Sequence, residues 1–292
     1  MSDYFRRNSS LLSFSNSDSW VILSPIEQQI KEKIEKIGTP LKDWDIRINY
    51  GIKTGFNDAF IIDGAKRKEL IDQDPKSEEI IRPILRGRDI KRYAYESSDL
   101  WLINTHNGIK EKGIKPIDIN VYPAIKNYLD KFYPQLEKRT DKGDTPYNLR
   151  NCAYMEDFYR QKIVWKIIGD QMAFFIDNKN FIVNNACYIL TGNYLEYLVI
   201  ILNSKIIKWY SYLTNMNKTG VGDMQVGAQN VVLFPIPILT ENEQKPFKAL
   251  LQKILLAKQN NEDSTELEKL SNNLVYSTYN LIDEEIKFID QL

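Results

Sequence analysis

The stretch from Ile163 to Leu190 constrains the fold most, because turn residues divide it into apolar segments rich in β-forming side chains. The segments are Ile163 to Ile168, Met172 to Ile176 and Phe181 to Leu190. Gly169-Asp170 and the run 177–180 separate them, and Gly, Asp and Asn favour tight turns. Short strands joined by tight turns usually pair antiparallel. The sequence therefore predicts an antiparallel meander in this region.

Helical periodicity appears on both sides of the meander. Pro25 to Ile37 carries isoleucines at helical spacing, and Ser24 before it is a good N-cap. The same spacing predicts further helices over Asn120 to Arg139, Asn193 to Leu213, Pro246 to Ala257 and Asp263 to Leu292. Additional short strands are predicted over Asp45 to Asn49, Ala59 to Ile62 and Val231 to Pro235.

These elements mix without regular βαβ alternation, which favours an α+β fold over a doubly wound sheet. We expect a mixed, largely antiparallel curved sheet with packed helices, followed by a C-terminal helical segment. With 292 residues the chain has the length of about two domains. We place one over residues 1–239, with 1–18 as a polar lead, and a helical segment over 240–292. That segment is expected to pack on the first domain or on a partner.

Several classes of protein are excluded. No apolar run reaches the roughly 18 residues that a membrane-spanning helix needs, and the N-terminal apolar stretch is too interrupted by Ser and Asn for a secretory signal. Cys152 and Cys187 are far apart and lack a CxxC partner. This argues against a structural zinc site and is typical of a reducing compartment, so we predict a cytoplasmic protein without a metal.

The sequence is poor in catalytic motifs. Its single histidine, His106, lies in a loop-like context and lacks a metal-ligand partner at helical spacing. There is no P-loop, and the glycines of Gly220 to Gly227 do not have dinucleotide-binding spacing. A mobile loop is the better interpretation of that run. The sequence therefore favours binding over catalysis, although a complete enzyme with an unfamiliar active site stays an alternative.

Basic residues gather in clusters, although the net charge of the chain is zero. Residues 240–292 carry a net charge of −4, which leaves +4 on residues 1–239. In the densest cluster, Gly87 permits a tight turn between Arg86 and Arg88, so that both guanidiniums can reach phosphate or the O6/N7 edge of guanine. A structural ion pair with Asp89 is the alternative for either arginine. Other candidate contacts with nucleic acid are Lys91, Arg92, Arg139, Lys142, Tyr147, Arg150, Lys166 and Lys218.

The loop from Tyr50 to Asn57 adds a second kind of candidate. Gly51 and Gly55 would let the backbone approach a surface closely, while Lys53 and Thr54 present a cation and a hydroxyl at a turn between two strands. The alternative is a structural hairpin whose glycines only supply positive φ. Asn57 is also a candidate contact with nucleic acid, and the alternative for it is to cap or brace the loop.

Two motifs are more specific than composition. The run Ile48 to Asp63, together with Ile81 to Ile90, resembles the TaqI-like C-terminal specificity domain, the target-recognition part of adenine-specific DNA methyltransferases and of type IIG restriction-modification enzymes. The likeness extends over about Trp20 to Pro237. Other matching segments are Asn120 to Ile125, Leu136 to Arg139, Gln161 to Ile163 and Ile201 to Ser204. Leu233 to Pro237 is also similar to type I specificity subunits.

The resemblance implies sequence-specific binding of double-stranded DNA. It implies a parent enzyme that binds S-adenosylmethionine and methylates the N6 amino group of a flipped adenine, with possible endonuclease activity. The 292 residues contain neither an Asn-Pro-Pro-Tyr motif nor a glycine-rich cofactor motif. We therefore expect no catalytic residues and no cofactor here, and a methyltransferase or endonuclease half as partner. A protein-interaction subunit that docks a separate enzyme stays an alternative.

Overall fold

A computed structural model describes residues 23–213 and 224–292 of the chain. Its strands are β1 Thr39–Pro40, β2 Ile46–Tyr50, β3 Ile61–Asp63, β4 Ile81–Leu85, β5 Ile90–Lys91, β6 Ala94–Tyr95, β7 Leu100–Ile103, β8 Lys162–Lys166, β9 Ile168–Gly169, β10 Phe174–Asp177, β11 Ile182–Val183, β12 Cys187–Gly192, β13 Met224–Gln225 and β14 Pro235–Ile236. Its helices are α1 Pro25–Ile37, α2 Asn57–Phe60, α3 Gly64–Gln73, α4 Pro123–Asp130, α5 Tyr133–Lys138, α6 Leu195–Leu202, α7 Lys205–Leu213, α8 Ala228–Val231, α9 Glu241–Gln259, α10 Thr265–Thr278 and α11 Asp283–Asp290.

Two four-stranded sheets organise the fold. The central sheet has the order β10-β8-β12-β2 and is antiparallel throughout. The second sheet has the order β11-β4-β7-β3, in which only the β11–β4 pair is parallel. Neither sheet closes into a barrel, and the C-terminal residues are helical. The architecture is the predicted α+β class.

The central sheet is buried on both faces, because a hydrophobic core lies on each side of it. Side chains alternate along a strand, so each strand contributes to both cores. Ile163 and Trp165 of β8 point into one hydrophobic core, and Val164 between them points into the other. The first core lies under α1, α6, α7 and the C-terminal helices α9 to α11. The second core lies against the second sheet and helices α3, α4 and α5. Phe247, Ile254 and Tyr279 take part in the first core, so the C-terminal helices pack on the central sheet.

Local signals gave the right boundaries where a cap defines them. Helix α1 begins after its N-cap Ser24, as predicted. The Ser24 hydroxyl accepts the Glu27 amide in a capping box, which was not predicted. The helix predicted over Asp263 to Leu292 is instead two helices. Asn280 has a φ of 54°, and a left-handed residue of this kind ends a helix.

The predicted helix over Asn120 to Arg139 was wrong in its continuity. It is split into α4 and α5, which carry Pro123 and Pro134 in their first turns. Proline lacks the N–H that a helix interior requires, so it belongs at the beginning of a helix. The loop from Tyr50 to Asn57 likewise leads into α2 rather than into a strand.

The predicted long helix over Asn193 to Leu213 ends early at Leu202. Asn203 accepts the Phe174 amide at 3.1 Å and donates to the Phe174 carbonyl at 2.8 Å, so its amide binds the backbone of β10. The meander also has a different order, since β8 lies between β10 and β12. Residues 181–190 divide between β11 and β12 of different sheets. Of the strand predicted over Val231 to Pro235, Val231 ends α8 and only Pro235 lies in a strand, β14.

Candidate nucleic-acid interface

The ends of several strands meet at one edge of the molecule. Tyr50 at the end of β2 pairs with Tyr188 near the beginning of β12, and Tyr188 also pairs with Trp165 near the end of β8. Leu85 and Val183 end the parallel strands β4 and β11 as direct partners. Together with residues 150–154, the loops beyond these ends form one surface. This loop face consists of residues 50–53, 86–88, 150–154, 166–169 and 184–186.

Residues 184–186 form the centre of the loop face and are held by backbone hydrogen bonds. The Asn184 amide donates to the Leu85 carbonyl at 3.0 Å, and the Ile167 amide donates to the Ala186 carbonyl at 2.9 Å. A Cβ on Gly51 would lie 2.0 Å from the Asn184 carbonyl oxygen, so only glycine allows this approach. The loops are therefore fixed relative to each other by the backbone.

A cavity of about 380 Å³ opens between these loops, with Tyr50, Lys53, Arg150 and Asn185 among its lining residues. Lys53 Nζ lies 2.8 Å from one carboxylate oxygen of Asp141, and Arg150 Nη1 lies 3.1 Å from the other. The hydrogen bond and charge of Lys53, with the charge of Arg150, lower the pKa of Asp141. One carboxylate thus orients two cations and leaves a net charge of +1 at the cavity.

An aromatic surface lies beside these charges. The Tyr50 side chain is 55% exposed, and its ring centroid lies 4.5 Å from that of buried Tyr188. Burial, with the hydrogen bond to Tyr50, raises the pKa of Tyr188 to about 12. Tyr188 is therefore neutral at physiological pH. The pair offers a ring face and a hydroxyl, groups that contact nucleotides and phosphates.

The two arginines around Gly87 have different environments. Arg86 binds Asp89 through two bonds, Nε to Oδ2 at 3.1 Å and Nη2 to Oδ1 at 3.0 Å. Asp89 is buried, and the hydrogen bonds from Arg86 lower its pKa against the opposing effect of burial. Arg88 is exposed and has no ion pair or hydrogen bond with residues 23–213 or 224–292. The structural ion pair considered for the cluster therefore belongs to Arg86, and Arg88 is available to a ligand.

Several predicted site residues have partners inside the protein. Arg139 is buried and donates to the carbonyls of residues 54, 141, 146 and 148. The hydroxyl of Thr54 is also buried and donates to Asn57, the bracing role considered for that residue. Gly55 has a φ of +72° and supplies the turn. We do not include these residues in the interface.

The remaining predicted site residues lie around the loop face or away from it. Lys166 lies on the loop face and pairs with Asp170 at 2.7 Å. Arg92 binds Glu268 of α10 at 2.6 Å, which joins that helix to the β5–β6 hairpin. The others have these places: Lys91 pairs with Glu96, Lys142 donates to the Glu137 carbonyl, Tyr147 donates to Asp130, and Lys218 lies outside the described residues.

Comparison with known proteins identifies the family. A model of the TaqI-like C-terminal specificity domain matches residues 82–236, which is more than half of the chain. The chain belongs to this family. The match includes Arg88, Arg150, Lys166 and residues 184–186 of the loop face, and ends before α9.

Two solved restriction-modification enzymes resemble this specificity domain in structure. The type IIL enzyme MmeI, solved in complex with DNA, has a TM-score of 0.61 at 14% identity, over 87% of this chain and 36% of that one. The type IIG restriction endonuclease BpuSI has a TM-score of 0.49 at 14% identity, over 88% of this chain and 33% of that one. The chain thus spans about a third of each enzyme, and the likeness to MmeI shows a shared fold.

Sequence reasoning missed part of the loop face of the specificity domain. Asp141, Asn151 and Asn185 line or support the cavity but were not singled out. A signal existed for Asn185, because the pair Asn184-Asn185 is a turn signal inside an otherwise apolar segment. It marks the loop between β11 and β12. No comparable local signal exists for Asp141, whose role depends on two distant cations.

The described part of the specificity domain offers no metal site. Within residues 23–213 and 224–292, no group of three His, Cys, Asp or Glu side chains is arranged to hold an ion. His106 Nδ1 accepts the Gly108 amide at 3.0 Å, and burial lowers the pKa of His106. In the same residues no helix is long and apolar enough to cross a membrane.

The buried Arg139 gives a prediction about stability. Replacing Arg139 with Met leaves several buried carbonyls without a donor, so we expect the free energy of unfolding to fall by about 3 kcal/mol. Urea denaturation measures the change. Arg150→Met, at an exposed position, is the matched control and should change stability by less than about 0.5 kcal/mol. Equal stability of the two variants would contradict the structural role of Arg139.

Proposed function

We propose that this specificity domain recognises a defined sequence in double-stranded DNA through its loop face. The observation that carries the proposal is the concentration of Lys53, Arg88 and Arg150 at one edge of the fold, beside the exposed side chains of Tyr50 and Asn185. Cations position a protein on the phosphates, and polar side chains between them read base edges in the grooves. Family membership supports the same role.

We further propose that the catalytic partner is an adenine-N6 methyltransferase, in an enzyme of the type IIG class. S-adenosylmethionine would then bind to the partner, and the specificity domain would orient the duplex for base flipping. Support comes from the family and from the fold shared with MmeI, of which the chain spans only 36%. Such an enzyme would work on DNA in the cytoplasm.

Docking of the catalytic partner through the C-terminal helices is compatible with this role. Phe247 and Ile254 of α9 face the core, while Leu256 of α9 and Leu270 of α10 are 58% and 53% exposed. Exposed apolar side chains of this size are candidates for a protein interface. Because α9 and α10 are part of a core, removing residues 240–292 would expose the sheet beneath them and is not a clean test of docking.

A binding selection tests the proposed function. The full chain is mixed with a pool of randomised duplexes at increasing salt, and the retained DNA is sequenced. We expect one short motif to be enriched, and the logarithm of the affinity to fall by about 0.9 per logarithmic unit of salt for each phosphate contacted. Retention that ignores both salt and sequence would contradict the proposal.

A further inference from the structure

Most charged side chains of the loop face already have a partner within the protein. Lys53 and Arg150 share Asp141, Arg86 binds Asp89, and Lys166 binds Asp170. Two neighbouring side chains differ from this pattern. Neither Arg88 nor Asn185 makes an ion pair or a hydrogen bond with any residue that the structure describes, and both are exposed.

Arg88 and Asn185 extend from adjacent, well-fixed loops. A Cβ on Gly87, next to Arg88, would lie 3.2 Å from the Cβ of Ala186. Asn184 holds the second loop, since its side-chain oxygen accepts the Ala186 amide at 3.3 Å and its carbonyl accepts the Cys187 amide at 3.0 Å. The backbone of both loops is therefore held in place, while the guanidinium of Arg88 and the carboxamide of Asn185 have no partner among the described residues.

The chemistry of these groups suggests distinct base partners. A carboxamide matches the N6 donor and N7 acceptor of adenine, and a guanidinium matches the O6 and N7 acceptors of guanine. Resting on the proposed function, we infer that Asn185 reads an adenine and Arg88 a guanine of a nearby base pair in the major groove. The exposed methyl group of Ala186 between them is suited to contact with a thymine methyl.

The paired cations are less suited to reading bases. If Arg86 turned to a base, it would leave buried Asp89 without its bidentate partner, and an unpaired buried carboxylate is strongly destabilising. Arg88 and Asn185 break no such contact when they bind. Lys53 and Arg150, which line the cavity and share Asp141, then serve as phosphate contacts that fix the register of the duplex.

Four variants of the full chain test the inference in the selection described above. Asn185→Ala should lose about 10-fold of the preference at one A·T pair, and Asn185→Asp should shift that preference toward C·G, because an acid accepts from cytosine N4. Arg88→Lys keeps the charge but loses the planar fork, so total retention should hold while preference at one G·C pair falls about 10-fold. Asn273→Ala, at an exposed position of α10, is the control.

The outcomes separate this inference from the proposed function. A wild-type motif that Asn185→Ala and Arg88→Lys both select unchanged would overturn the assignment and leave DNA recognition standing. Arg88→Lys with both an unchanged motif and an unchanged salt slope would make Arg88 a phosphate contact, since lysine keeps the charge, and would also overturn the assignment. If the wild-type chain selected no DNA motif, both the base assignment and the proposed function would be overturned. A shifted preference for Asn185→Asp cannot arise from misfolding and would support the assignment.

Discussion

Replacing Lys53 and Arg150 together with methionine is expected to weaken binding to duplex DNA by about 100-fold at moderate salt. The effect is large because Asp141 remains, so the local charge changes from +1 to −1 opposite the phosphates. The slope of the logarithm of the affinity against the logarithm of the salt concentration should also become shallower, by the amount expected for about two phosphate contacts. Fluorescence anisotropy with a selected or random duplex measures both quantities.

Asp141 provides a graded control for this result. Adding Asp141→Asn to the double variant makes the site neutral, so part of the affinity should return, and Asp141→Asn alone should bind more tightly than the wild type. Lys31→Met with Lys68→Met removes two cations from helical ion pairs away from the loop face and should change little. If this control pair lost as much affinity for DNA as the Lys53 and Arg150 double variant, the net charge of the protein, rather than the loop face, would determine affinity.

Replacing Lys162 with methionine is expected to lower the free energy of unfolding by about 3 to 5 kcal/mol. Lys162 and Asp177 are fully buried between the strands β8 and β10, and Lys162 Nζ also donates to the Phe158 carbonyl at 2.7 Å. Asp177 Oδ2 accepts the Phe181 amide at 2.9 Å. Removal of the ammonium group leaves a carboxylate without its counter-charge in the core. Urea denaturation of the wild type and the variant measures the difference in their free energies of unfolding.

Two comparisons separate the charge effect from packing. Lys162→Met combined with Asp177→Leu removes both charges and should recover much of the lost stability, since an apolar pair can replace a buried ion pair. Lys68→Met breaks an exposed ion pair and should cost less than about 1 kcal/mol. If the double variant is as unstable as Lys162→Met alone, the loss of stability comes from the change in side-chain volume and not from the unpaired charge.

The fold was predictable where short-range physics determines it. Ser24 and Pro25 define the beginning of α1, and apolar spacing located the C-terminal helices, since capping and periodicity act over a few residues. The order of strands was not predictable in this way. Pairing of β8 with both β10 and β12 depends on residues far apart in sequence, and the break at Asn203 depends on its bonds to Phe174.

The candidate site shows the same division. The basic cluster around Gly87 was visible in the sequence, but nothing local tells which arginine binds Asp89 and which is free. Arg139 is expected at the surface from its charge, but it is buried among backbone carbonyls. Charge density therefore located part of the loop face, whereas the roles of Arg88, Arg139 and Asp141 required the tertiary structure.

Photo-crosslinking at two tyrosines tests the DNA-binding face most directly. A benzophenone amino acid replaces Tyr50, 55% exposed on the loop face, or Tyr194, 46% exposed beyond the opposite end of β12. Both variants are irradiated in the presence of duplex DNA. The account predicts an efficient, salt-sensitive crosslink from position 50 and only background from position 194. A crosslink from position 194 without one from position 50 would contradict it.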